Sequence, residues 1–251
     1  MQITVLMENG SREGLCAEHG LSLYVRYGGT SLLLDAGESG DFIQNARQLG
    51  CPLDAVQFAV LSHGHNDHAD GFPALLRCNS SVRVYARPAV LEPLFAADGR
   101  YIGLSTPLRE EYTNRFDLSD ELRSLFPGLW LVPDAVNHEQ SLVAETENGL
   151  VVMNSCCHAG ADRIVAGILE SFPGKKVRAL VGGLHLMGPG GVSTLGMDPD
   201  AVRTLACRLT EELGVKEICT GHCTGTPGYA LLEEAAPGKV RAIHAGDVLE
   251  F

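Results

Sequence analysis

The chain has 251 residues, 45% of them apolar and 20% charged, the profile of a folded globular protein rather than a disordered or membrane-embedded one. Its formal charge of -12, spread without a dense acidic block, argues against a nucleic-acid backbone or an anionic membrane surface as partner and favours a small molecule or a metal ion. The length suits one sizeable core, and no repeat, low-complexity tract or long linker marks a boundary, so residues 1–251 are read as one domain.

The opening MQITVLMENGSREG lacks a basic flank, and its apolar run is too short for an export signal or a membrane span. It reads as a first strand, with a cytoplasmic location expected. LSLYVRY, TSLLLDAG, AVQFAVLSH and SVRVYA continue as short β-rich runs. Residues 88–127 are polar and poorly periodic, which predicts an excursion with short helices over one end of the core, shaping a pocket. Strands resume with LWLVP, SLVAET and GLVVMNS.

GADRIVAGILESFPG then places Ile164, Val165, Ile168, Leu169 and Phe172 on one helical face, ending before Pro173-Gly174. KVRALVGGLH returns to a strand. DPDAVRTLACRLTEELG offers Asp198 as cap, Pro199 at the first helical position, an apolar stripe from Val202 to Leu213, and Gly214 as a stop. VKEICTGH and KVRAIHAGDVLEF close the chain as strands. Eight cysteines accompany no export signal, so the thiols are expected to be reduced.

Between Leu61 and Gly71 the run LSHGHNDHADG crowds ligand-type side chains after an apolar strand. A tight loop with Gly64 aims His63 and His65 one way, while Asp67 and His68 turn toward a neighbouring point. That arrangement makes two adjacent metal positions. Imidazole and carboxylate suit zinc, and also iron or manganese, and two cations roughly 3.5–4 Å apart can share a hydroxide.

The HxHxDH pattern, preceded by LLLDAG and followed by ADG, resembles the metallo-β-lactamase superfamily. AEHGLSLYV, YIGLS, NHEQSLVAETENGLVVMNSCCHAG, VGGLHL and TGHCTG extend the likeness over almost the whole chain. The resemblance implies an α/β fold, a four-layer αββα sandwich with the metals at one edge of the two sheets. It points to a subgroup of metal-dependent hydrolases that includes dihydropterin ribofuranosyl-aminobenzene phosphate synthases.

The resemblance also implies ligands from distant strand ends. His222, between Gly221 and Cys223, matches the last ligand histidine of the superfamily and joins Asp67 and His68. The middle of the chain departs from the pattern: NSCCHAG has no aspartate, and Cys156 stands where the bridging carboxylate is expected. It is either a thiolate ligand or a buried structural thiol. The third histidine of the first metal is His158 or, by chain order, His138.

His185 matches the GGxH signature of the subgroup, as an extra ligand, as an acid that bonds a substrate oxygen, or as a capped loop residue. Asp35 is expected to hold a ligand imidazole in one tautomer. Glu18 and His19 in AEHG are equally well explained by a surface turn.

Four functions remain open on these residues. The first is hydrolysis of an ester, lactone or phosphoester by water activated between two divalent cations, with Asp67 as proton acceptor. The second is transfer on a phosphorylated pterin-type or ribosyl substrate, which an anionic small molecule would fit. Redox chemistry is disfavoured, because superfamily members that perform it generally carry Glu in place of His65 and an attached flavin domain. The last is a non-catalytic metal-binding or sensing protein.

Overall fold

The structure, a computed structural model, describes residues Met1–Phe251 as two seven-stranded sheets with helices on their outer faces. Edge to edge, the first sheet runs Val248–Glu250, Gln2–Met7, Ser22–Tyr27, Thr30–Leu34, Phe58–Val60, Val84–Ala86 and Phe116–Leu118. The second runs Val240–Ala242, Glu217–Thr220, Val177–Gly182, Gly149–Met153, Gln140–Thr146, Leu129–Pro133 and Arg123–Phe126.

The strands are nearly continuous apolar runs because both faces of each sheet are covered. Alternation shows where each side chain goes. Leu32 and Leu34 enter the core between the sheets, whereas Leu33 joins the outer core beneath Phe42, Phe72 and Leu75 of the helices Phe42–Gln48 and Phe72–Cys78. In the second sheet Val151 and Met153 face inward, while Leu150 and Val152 meet Ile164, Val165 and Ile168 of the helix Ala161–Ser171. Helix, sheet, sheet and helix thus form the four-layer αββα sandwich.

Each sheet is antiparallel in one part and parallel in the other. The parallel strands ending at Leu34 and Val60 deliver Asp35 and His63 to one edge. Those ending at Met153, Gly182 and Thr220 deliver Cys156, His185 and His222. Carboxyl ends of parallel strands are the usual place for a site in such sheets.

Asp198 caps the helix Pro199–Cys207 by accepting from the N–H groups of Asp200 and Ala201 at 2.9 and 3.3 Å, with Pro199 in its first turn. From Arg208 the helix widens into a π turn, Arg208–Glu212.

Two sequence expectations change. KVRAIHAGDVLEF is not one strand: Val240–Ala242 edges the second sheet, the chain turns at residues 244–247, and Val248–Glu250 pairs with Gln2–Met7 in the first. Apolar runs on both sides of the turn look like one strand, and only the Ala245–Gly246–Asp247 corner separates them. Ala245 N–H donates to Gly10 O, and the Asp247 carboxylate accepts the N–H of His244, each at 2.9 Å.

The excursion of residues 88–127 holds not only the short helix Thr106–Glu110 but also an edge strand for each sheet, Phe116–Leu118 and Arg123–Phe126. Edge strands bury less on each side, so their patterning is weak.

No helix is long and apolar enough to cross a membrane.

Candidate metal centre

Four non-glycine residues have left-handed backbones: Asp35 (φ 57°), Cys157 (φ 53°), His185 (φ 52°) and His222 (φ 49°). Each follows a strand at the shared edge. Such conformations are disfavoured by on the order of 1–3 kcal/mol and persist where the surroundings over-determine them, commonly at functional sites. At Asp35 and His222 the sharp exits swing side chains of both sheets toward one point.

At that point His68 Nε2 lies 3.1 Å from His222 Nε2 and 3.2 Å from Cys156 Sγ. Asp67 Oδ2 is 3.5 Å from His68 Nε2 and 3.3 Å from His222 Nε2. Bonds of ~2.0–2.1 Å from a tetrahedral cation to nitrogen or oxygen put the donors roughly 3.3 Å apart, so this spacing fits one cation. Beside it, His63 Nε2 is 3.0 Å from His65 Nδ1. His63, Cys156 and His158 form one triad, His68, Cys156 and His222 another, with donor atoms in each within 4.8 Å of one another. Cys156 is the residue common to both.

The outer nitrogens explain why the inner ones face inward as lone pairs. His68 Nδ1 bonds Asp35 Oδ2 at 2.8 Å, and His222 Nδ1 is 3.3 Å from Asn9 Oδ1. His63 Nδ1 donates to Ser62 Oγ at 2.8 Å, and that hydroxyl donates to Asp35 Oδ2 at 2.6 Å. Glu139 accepts from His158 twice at 2.7 Å, through Nδ1 and the backbone N–H. With these N–H groups engaged, neutral imidazoles present lone pairs to one another, an arrangement that needs protons or cations between them. The donor set of imidazoles, a carboxylate and a thiolate fits divalent cations of zinc type.

His138 belongs to neither triad. Its ring centroid is 5.6 Å from that of His63 and 5.5 Å from that of His65. His185 also stands outside the triads, its ring 4.3 Å from that of His158, and its backbone N–H reaches Cys223 Sγ at 3.3 Å. A separate interaction of the His185 ring with the Cys223 side chain pushes its imidazole up, against burial. Burial would raise the Cys223 thiol, but Cys156, His185 and His222 hold it well below the usual thiol range.

Glu18 turns away from the cluster and accepts the N–H groups of Glu38 and Ser39 at 3.0 Å each. His19 comes to the site, its Nε2 3.3 Å from Asp67 Oδ2.

Glu139, Ser62, Asn9 and Glu8 are the positioning residues that sequence reasoning missed. Glu8 accepts the backbone N–H of His222, and Asn9 Nδ2 donates to its carbonyl at 3.1 Å. Their signal was faint: Glu139 adjoins His138 in NHEQS, and Glu8 and Asn9 only follow the first strand.

Charge balance among these groups is uneven. Burial drives His63 and His65 down, His65 to about 3, with their neighbouring imidazoles adding to the effect. Burial also acts against His68, but the Asp67 and Asp35 carboxylates outweigh it and push His68 up to about 9. For Asp67, burial is opposed by His68, His222 and His19, which together hold its carboxyl well below the usual range. An ionised Asp67 suits a ligand.

Chelator-treated protein is therefore expected to resist urea best near pH 6.5. The raised His68 contributes stability that is whole below pH ~6.5 and lost as pH rises through about 9, of order 3 kcal/mol. The depressed His63 and His65 act oppositely: their contribution is present above pH ~6.5 and lost as pH falls, for His65 toward about 3. Urea midpoints measured from pH 4 to 9.5 check this, and a flat profile contradicts it.

The sequence profile of the Metallo-beta-lactamase superfamily matches residues 17–222. The chain is 25% identical, over 94% of its own length and 90% of the relative's, to 7,8-dihydropterin-6-methyl-4-(beta-D-ribofuranosyl)-aminobenzene-5'-phosphate synthase of Methanocaldococcus jannaschii. The crystal structure of Tm1679, a metal-dependent hydrolase of the beta-lactamase superfamily, superposes with a TM-score of 0.85 at 29% identity, covering 100% of this chain and 99% of that one. The metallo-beta-lactamase fold protein YhfI from Bacillus subtilis shares the fold at 14% identity, with a TM-score of 0.64 and coverage of 100% and 98%.

Proposed function

The chain belongs to the metallo-beta-lactamase superfamily, and on that footing we propose that it is a hydrolase holding two divalent cations, zinc in the first instance and iron or manganese as alternatives. His63, His65 and His158 would hold one, and Asp67, His68 and His222 the other, with Cys156 a donor within reach of both sets. The observation that carries this reading is the spacing of donors from both sheets, 3.0–3.5 Å, around buried imidazoles whose outer nitrogens are already engaged. When bound, such a cation pair supplies Lewis acidity and brings the pKa of water toward neutrality.

The chain's own residues do the rest. Asp35, Ser62, Glu139 and Asn9 fix imidazole tautomers. His185 lines a cavity of about 500 Å³ with His158, apolar walls from Leu184 and Leu205, and Arg208. Such a volume suits a small molecule. Arg208 is paired with Asp162 at 2.8 Å, so the far end offers both donor and acceptor. From this wall His185 can donate a proton to a leaving oxygen, with ester, lactone and phosphoester centres as the substrate class.

A second reading is group transfer on a phosphorylated pterin-type or ribosyl substrate, favoured by the name of the M. jannaschii relative. Purified protein loaded with zinc, iron or manganese is expected to hold about two cations and to cleave bis(p-nitrophenyl) phosphate or a simple lactone, with both properties lost to chelation and restored by metal. Uptake of no cation under any loading overturns the hydrolase reading. Two cations with no cleavage, but with an aromatic amine displacing phosphate or pyrophosphate from a phosphorylated pterin-type or ribosyl substrate, replaces it with the second.

A further inference from the structure

We propose that His19 is a further ligand of the Asp67–His68–His222 position, a solvent-side fifth donor that an anionic oxygen can displace. The inference rests on the dinuclear reading above and concerns a residue outside the HxHxDH run. His19 Nε2 lies 3.3 Å from Asp67 Oδ2, the same distance that separates Asp67 Oδ2 from His222 Nε2. Its ring centroid is 4.8 Å from that of His222, and its nitrogen joins Asp67 and His222 as a third group of converging donors.

The turn that carries His19 is fixed from both sides. Glu18 donates its N–H to Glu8 O at 3.2 Å, and its carboxylate is tied to the N–H groups of Glu38 and Ser39. Gly20 follows at φ 149°, and a Cβ built there would stand 2.4 Å from Asp67 O. The absent side chain lets this turn press directly on the backbone of the ligand aspartate. Gly20 N–H also reaches Asn9 Oδ1 at 3.4 Å, the oxygen that faces His222 Nδ1. One small framework thus orients His19 and His222 together.

Exposure separates His19 from its partners. Its side chain is 47% exposed, against 0% for His68 and 1% for His222. Asp67, His68, His222 and Cys156 already supply four donors, and a fifth reached from solvent is the one that can leave and return. Five-coordinate zinc is an accepted state of catalytic sites. The displacing ligand is an oxyanion, a carboxylate or phosphate oxygen, because the position is cationic and opens to water on the His19 side.

The test uses the full chain loaded with two equivalents of cobalt(II), whose ligand-field bands intensify as coordination falls from five to four. His19→Ala is expected to intensify the bands of one cobalt and leave the other unchanged. In competition with a chelator, it should weaken one cation by about 10–100-fold. His19→Gln, which keeps bulk without an imidazole, should behave like His19→Ala. Inorganic phosphate, titrated against the same bands, should bind His19→Ala about tenfold more tightly than wild type, because no imidazole has to leave first.

Two cobalt ions held by wild type and His19→Ala with the same affinity, spectrum and phosphate response overturn the inference while leaving the dinuclear reading intact. Wild type that takes up no cobalt overturns both.

Discussion

Cys156→Ala protein, purified and reloaded with metal, should hold well under two cations and lose at least about 10³-fold in kcat/KM, a transition-state loss of ~4 kcal/mol. The reason is its place in the donor set. Cys156 is common to the triads on either side, and its Sγ is 3.2 Å from His68 Nε2. The buried thiol of Cys219, by contrast, packs in the inter-sheet core. Removing the Cys156 side chain would take a donor from both of the proposed cation positions. Cys156→Asp restores a bridging anion and should recover the second equivalent. Metal content by elemental analysis, with kcat/KM on the best phosphoester or lactone found, decides it. Full occupancy and activity in Cys156→Ala would make this residue a core thiol only.

Asp35→Ala is expected to lower the stability of the chelated protein by about 3–5 kcal/mol and to weaken cation binding by about 10–100-fold. Asp35 is fully buried. One carboxylate oxygen accepts the Ser62 N–H at 2.8 Å, and the other accepts Ser62 Oγ–H at 2.6 Å and His68 Nδ1–H at 2.8 Å. Alanine strands three donors in a dry interior. Asp35→Asn separates the two effects. It keeps the shape and one acceptor oxygen, so less stability is lost. Its NH₂ group, however, cannot accept from His68, which favours the tautomer with hydrogen on Nε2 and removes the inward lone pair. Asparagine should therefore lose as much cation affinity as alanine with a smaller fall in the urea midpoint. Equal midpoints for wild type and Asp35→Ala would remove Asp35 from the framework of the site.

Much of this centre could be read from local runs. LSHGHNDHADG gathers four of the donors within six residues because one strand exit and one short helix carry them, so no long-range contact is needed to see them. Asp35 was legible for a similar reason: it ends an apolar strand. What stayed hidden depends on register between strands. Gln140–Thr146 pairs antiparallel with Gly149–Met153, Leu142 against Met153, which brings Glu139 and His158 out at the same end. No local pattern announces that encounter: His158 could be proposed from its small-residue setting in SCCHAG, but the role of Glu139 could not. The edge strands Phe116–Leu118 and Arg123–Phe126 were hidden for another reason: they are short and half solvated, and their pairing comes from the sheets they border.

The corner at residues 244–247 has a consequence for the donor cluster. His63, His65, Asp67 and His68 rise from one sheet, and Cys156, His158 and His222 from the other, so the separation of the sheets sets the width between opposing donors. The closing segment leaves the second sheet and pairs with the first, tying the two together beside the strand ends that carry these donors. Conditions that peel it away would therefore widen the clamp and spill ions while the bulk of each sheet is still folded.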